Sequence, residues 1–218
     1  MMMAGGSTPP PPFPPAPAGV TFYRKLVFDG TAYIDTGITP TNGDCFKVKL
    51  GGETLIGPQN VFMAPTTNSS NFLGMRYGAN TTSARRIPVI NYASTNKNGN
   101  QRAIYWATTE FTFFLTKTTF GWDSDYWAIS GGSNAINDVL VLGSQPDHTG
   151  QQYTGFMGTF YIYDSDAKGA QSADAFDNYT PKYTLWPCTY NGEAGFWCLE
   201  NNTFYGNTAG AGTLSVSN

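Results

Sequence analysis

From Val20 onward the apolar residues of this chain fall in short runs, each cut off by Gly, Asn, Asp or Pro, and they never recur with the 3.6-residue period of a helix. A backbone interrupted this often must make its hydrogen bonds between segments, in sheets. Phe22–Phe28 runs into Asp29-Gly30, and Tyr33–Ile38 follows. Cys45–Leu50 alternates, with Phe46, Val48 and Leu50 on one face and Lys47 and Lys49 on the other, as in a half-buried strand. Thr54–Ile56, Phe72–Tyr77, Ile87–Tyr92, Ala103–Trp106 and the strongly β-prone Phe111–Phe120 come next. Val139–Leu142, Phe156–Tyr163, Tyr183–Pro187, Gly195–Leu199 and Thr203–Tyr205 complete a set of twelve or more expected strands. Only Ala170–Phe176 has room for a helical turn.

Composition points the same way. Charged residues make up 12%, while the chain holds 25 Gly, 13 Tyr and 15 Phe, so few side chains are available to solvate helix faces. The four glutamates are Glu53, Glu110, Glu193 and Glu200. An all-β fold is the expectation, and its strand count suits a large jelly-roll sandwich rather than an immunoglobulin-sized domain.

Residues 1–19 stand apart. Pro9 to Pro12 are consecutive, and the residues from Thr8 to Ala18 are otherwise almost all Pro or Ala. Such a stretch favours polyproline II and offers a sheet few donors. We therefore expect a flexible or polyproline II tether over 1–19 and a single jelly-roll domain over 20–218. The start also lacks the charged and apolar regions of a signal peptide.

Net charge is −3, and no basic cluster exceeds Arg85-Arg86, so nucleic acid is not an expected partner. No apolar run reaches the length of a membrane span. The odd count of three cysteines, Cys45, Cys188 and Cys198, gives no disulfide framework. Cys188 and Cys198 flank a turn at Asn191-Gly192 and so belong on adjacent strands, either bridged or as buried free thiols.

Three stretches carry a resemblance: "LVFDGTAYIDTGITPT" (residues 26–41), "GTFYIYDSDAKG" (158–169) and "YTLWPCTYNGEAGFWCLENNTFYGNTAGAGTL" (183–214). They resemble the opening and closing segments of concanavalin A-like (LamG-like) jelly-roll modules common in bacteriophage virion and tail proteins and in gut-bacterial surface proteins. Leu199-Glu200 stands where that family usually has Tyr-Asp. The resemblance implies a β-sandwich of two antiparallel sheets and display on a virion or an extracellular surface. The residues themselves read as fold residues, with Gly37 supplying a positive φ after Asp35.

Glycoside hydrolysis needs two carboxylates flanking the scissile bond, yet no Glu here has an acidic residue at i+2 or i+4. His148 lies in a loop-like stretch without a nucleophile motif. The expectation is no enzyme. No cofactor is expected either, and calcium is the one alternative weighed. Asp164–Gly169 has oxygen ligands at loop positions one and three but Lys168 at five, which reads better as a hairpin turn. Asp123 and Asp125 with backbone carbonyls form the other calcium candidate.

One loop pairs flat aromatic faces with hydroxyl-accepting carboxylates, as sugar sites do. Trp122, Tyr126 and Trp127 lie beside Asp123 and Asp125, and the alternative is that both tryptophans belong to the core. The polar stretches Thr66–Asn71 and Asn80–Arg86 are further candidates. Two functions follow from different classes. One is a module binding a bacterial cell-surface carbohydrate. The other is a structural head-fibre, decoration or tail protein that meets other virion proteins through its Pro-rich N-terminus, with a homo-oligomer left open.

Overall fold

The computed structural model describes residues 12–52, 59–66, 72–78, 85–93, 96–98, 104–105, 110–144 and 152–218. Strands β1 (Val20–Phe22), β2 (Lys25–Asp29), β3 (Ile34–Asp35), β4 (Cys45–Gly51), β5 (Gln59–Pro65) and β6 (Phe72–Gly78) form first. They are followed by β7 (Arg85–Tyr92), β8 (Asn96–Asn98), β9 (Ile104–Tyr105), β10 (Phe111–Leu115), β11 (Thr119–Trp122) and β12 (Asp125–Ala128). The last are β13 (Val141–Leu142), β14 (Thr154–Tyr163), β15 (Tyr183–Tyr190), β16 (Glu193–Cys198), β17 (Thr203–Gly206) and β18 (Leu214–Ser217).

These strands make two antiparallel sheets. The larger runs β12-β11-β10-β4-β14-β15-β16-β17, with β1 added to β15 and β2 joining β14 to β18. The smaller runs β3-β13-β5-β6-β7-β8, with β9 on β7. Ten-residue β14 is the hub. A register irregularity between Met157 and Phe160 on its β4 side goes with two partners on the other side: its first half pairs β2 and its second half pairs β15.

The alternation read in Cys45–Leu50 fixes the layering. Phe46, Val48 and Leu50 face the smaller sheet and are fully buried, while Lys47 and Lys49 point outward. At the centre the Phe62 ring of β5 lies 5.6 Å from Phe46, 6.0 Å from Phe113 and 5.2 Å from Phe160, so one ring of the smaller sheet meets three of the larger. The outer face of the larger sheet carries two further clusters. Cys45, Phe114 and Tyr163 pack under Phe176 from two short 3-10 turns, Ser165–Gly169 and Asp174–Asn178. Phe22, Trp186, Cys188 and Trp197 form the other.

The two ends of the chain are tied by side-chain hydrogen bonds. The Asp29 carboxylate accepts the N–H of Thr31 and Ala32 in its own turn and the N–H of Thr213 from the closing segment. Burial alone would raise its pKa, but these bonds, with one from the Thr31 hydroxyl, outweigh that and hold it below the ordinary value. The Thr36 hydroxyl donates to the Leu140 carbonyl and accepts the Ile38 N–H, around Gly37 at φ +64°. Glu200 accepts the Thr184 N–H at 2.6 Å. The Glu200 carboxylate, from the turn after β16, thus caps the start of β15.

Several expectations need correction. Phe22–Phe28 is two strands, as is Phe111–Phe120, because the Thr116 hydroxyl accepts the N–H groups of Thr118 and Thr119 and reverses the chain there. Asp164–Gly169 is a 3-10 turn, not a hairpin turn, and helical structure extends from Ser165 to Asn178 in two pieces rather than lying within Ala170–Phe176 alone. Strand β5 was not anticipated. Thr54–Ile56 lies outside the described residues.

Cys188 and Cys198 do sit on the adjacent strands β15 and β16, but on opposite faces. Cys188 is opposite Gly195 in the outer cluster, and Cys198 is opposite Leu185 in the core. No bridge spans the two sides of a sheet, and all three cysteines are free and buried. Burial pushes the thiols of Cys45 and Cys188 up to about 12. The native chain is therefore expected to leave all three thiols unmodified by a thiol-disulfide reagent at pH 8. All three should react on addition of guanidinium, and rapid labelling of the folded chain would refute the buried placement.

Candidate functional site

The stretch read as an aromatic loop folds as the β11–β12 hairpin, with Phe120 opposite Trp127, Gly121 opposite Tyr126 and Trp122 opposite Asp125. Asp123 makes the reversal at φ +50°, a conformation Asp tolerates better than most residues. Its N–H donates to the Thr112 carbonyl, its Oδ1 accepts the Thr112 N–H, and its own carbonyl accepts the Ala173 N–H. The hairpin tip is thereby fastened to β10 and to the 3-10 segment.

Cross-strand pairing sorts the five candidate residues. Phe120 is a core residue, so Trp122, Asp125 and Trp127 share its side of the sheet. Tyr126 points to the other side and is 48% exposed. Asp123 lies in the turn with one carboxylate oxygen committed to β10. The structure thus brings three of the five together.

The Trp122 and Trp127 rings lie 4.4 Å apart at 40°, and Trp127 continues onto Phe120 at 5.5 Å. Both tryptophans are partly buried, packed against the core and against each other yet still reached by solvent, and Asp125 beside them is exposed. Strand β12 is the outermost strand at this end of the larger sheet. Neither reading of the tryptophans holds alone: they are part of the core rim and also accessible.

Opposite Tyr126, Gly121 has no room for a side chain. A Cβ there would meet the Asp125 carbonyl oxygen at 2.1 Å and the Phe114 ring at 2.6 Å. After Ala128 the chain crosses toward the smaller sheet. Ile129 and Gly131 donate to the carbonyls of Thr118 and Lys117, then Gly132 and Asn134 donate to those of Tyr92 and Ala93. Asn42 braces this crossing: its side-chain amide donates to the Gly132 and Asn134 carbonyls and accepts from Lys117 Nζ at 3.1 Å. Sequence reasoning passed over Asn42, and only the turn-like Thr41-Asn42-Gly43-Asp44 marked the place.

Several described carboxylates are engaged in ion pairs or capping. Glu110 bridges Lys25 and Lys49, and although burial opposes ionisation, the two ammonium groups hold its pKa below the ordinary value. Asp44 and Asp164 both approach Lys182, and Asp177 pairs with Lys47 at 2.6 Å. Among the described residues no three of His, Cys, Asp and Glu gather into a metal-holding group. Nor is any described helix long and apolar enough to cross a membrane. His148, Glu53 and most of the stretches Thr66–Asn71 and Asn80–Arg86 lie outside the described residues.

No protein-family model and no curated protein matches this sequence. Solved structures do. A candidate carbohydrate-binding protein from Bacteroides ovatus ATCC 8483 superposes with a TM-score of 0.60 over 91% of this chain, at 9% identity. A native heptameric SAP-like pentraxin from Limulus polyphemus superposes with a TM-score of 0.52 over 89% of this chain, at 12% identity. Both are concanavalin A-like sandwiches. The fold is a concanavalin A-like jelly roll. This chain spans 61% of the Bacteroides protein and 95% of the pentraxin. At such identities the likeness establishes the jelly roll and leaves its ligand to the site itself.

Proposed function

We propose that this jelly roll, residues 20–218 led by the Pro-rich residues 1–19, is a non-catalytic carbohydrate-binding module displayed on a virion or an extracellular surface. The β11–β12 hairpin is its sugar platform. The observation that carries this reading is the Trp122–Trp127 pair, in tilted contact and partly exposed across the β11–β12 hairpin at the sheet edge, with the exposed Asp125 carboxylate on the same face. A pyranose stacks its C–H face on such rings while a neighbouring carboxylate accepts its hydroxyl hydrogens. The fold's likeness to a candidate carbohydrate-binding protein supports the same class of ligand. The use of Glu110, Glu200 and Asp123 in ion pairs and backbone capping supports binding without catalysis.

The test is a glycan array probed with the full chain, followed by titration of the best ligand. Trp127→Ala and Asp125→Asn are expected to weaken binding by about tenfold or more, as truncation of a central aromatic anchor does. Tyr126→Ala, on the opposite face, should leave it unchanged. Trp127→Phe keeps much of the packing against Phe120 and separates lost affinity from lost stability. Equal loss with Tyr126→Ala would remove the hairpin's inner face as the site. Absence of any bound glycan would favour the structural reading, a virion subunit that packs against its neighbours.

A further inference from the structure

The segment just before β1 does not run clear of the domain. The chain reverses at Ala18-Gly19, where Gly19 has φ +79°, Val20 N–H donates to the Pro17 carbonyl at 3.1 Å and Asn191 N–H donates to the Gly19 carbonyl at 3.2 Å. The residues before it are thus turned back along β1, and Phe13 arrives beside Arg24, just past the end of that strand. There the Phe13 ring stands edge-on to Trp186 at 5.8 Å and 67°, and the Arg24 guanidinium lies over its face at 4.0 Å. Trp186 also packs against Phe22 at 6.1 Å. It is 6% exposed, while Phe13 remains 40% exposed.

We propose that Phe22, Arg24 and Trp186 form a receptor on the outer face of the larger sheet for a proline-rich peptide with an embedded aromatic residue. In this protein the receptor is filled in cis by residues 12–17. Three observations carry the assignment. Phe13 is the one aromatic ring in a run of Pro and Ala from Pro9 to Ala18, and it is the residue that meets the receptor. It is held through two directional contacts, edge-to-face with an indole and face-on to a guanidinium, rather than through burial alone. The flanking Pro12, Pro14 and Pro15 fix φ, so little backbone entropy is lost on docking, which is the advantage that aromatic grooves exploit in polyproline recognition. The receptor is separate from the sugar platform, which uses the inner face of β11 and β12. Docking also fixes where the leading segment meets the module, beside Arg24 instead of at the start of β1.

The experiment labels the full chain with 5-fluorotryptophan and follows the Trp186 resonance, assigned among the five tryptophans by Trp186→Phe. Phe13→Ala removes an exposed ring and is expected to shift that resonance alone. A synthetic peptide of residues 12–19 should return it to the wild-type position in Phe13→Ala, with millimolar affinity. Wild type should respond more weakly, by about twofold or more, because the tethered segment competes at a millimolar effective concentration comparable with the peptide's own Kd. A peptide with Ala in place of Phe13 should do nothing. The proposal fails if Phe13→Ala leaves the Trp186 resonance unmoved. It also fails if the peptide moves wild type and variant alike, or has no effect on Phe13→Ala up to about 5 mM.

Discussion

Phe62→Ala is expected to destabilise the fold by about 3–5 kcal/mol, the range for emptying an aromatic core site. Phe62 is fully buried, and its ring touches Phe46, Phe113 and Phe160, three rings of the opposite sheet on β4, β10 and β14. Two of those rings also pack on each other, Phe46 lying 6.2 Å from Phe160, which restricts their collapse into the emptied space. For a domain of this size the loss corresponds to a Tm lower by roughly 6–20 °C. Urea unfolding should show a lower midpoint with an unchanged slope. Phe62→Leu, which keeps most of the volume, should cost under about 1.5 kcal/mol. A Phe62→Ala midpoint within error of wild type would mean that Phe62 does not join the two sheets.

Gly74→Ala adds a single methyl group and is expected to cost about 2–5 kcal/mol, from strained φ and steric overlap together. Gly74 has φ +154°, and a Cβ on it would lie 2.1 Å from the Phe62 carbonyl oxygen and 2.9 Å from Met63 Cα. Both atoms are backbone. Strand β6 is laddered to β5 on one side and β7 on the other, so it cannot shift without opening hydrogen bonds. Gly169→Ala is the control: nothing lies within 4 Å of its Cβ position, and its cost should stay within about 0.5 kcal/mol. Chemical denaturation of both variants checks the pair, and equal midpoints would refute the close approach of β5 and β6.

Legibility followed the local physics. Cys45–Leu50 was readable to within a residue because its two faces differ, apolar toward the core and lysine toward water. Asn191-Gly192 was readable because both residues tolerate positive φ, and they adopt +50° and +87° between β15 and β16. Strand β5 was not readable. Gln59 through Ala64 are all buried, so the strand carries no alternation to detect. The Asp29 and Thr36 turns could be placed from sequence, but not their partners, since Thr213 and Leu140 lie far along the chain.

The candidate site shows the same division. The sequence alone determined that two tryptophans, a tyrosine and two aspartates occur within six residues, and that the chain builds sheets without long helices. Those facts depend on composition and short-range period. Which of the five residues act together was decided by the reversal at Asp123. Read as one extended run, Trp122 and Tyr126 would share a face and Trp127 would lie opposite. The turn pairs Trp122 with Asp125 and Phe120 with Trp127, which gathers Trp122, Asp125 and Trp127 and sends Tyr126 to the other side. That outcome rests on Asp123 being held by Thr112 and Ala173, from β10 and from the segment before the second 3-10 turn. Contacts between residues so far apart in sequence exist only once the sheet has formed.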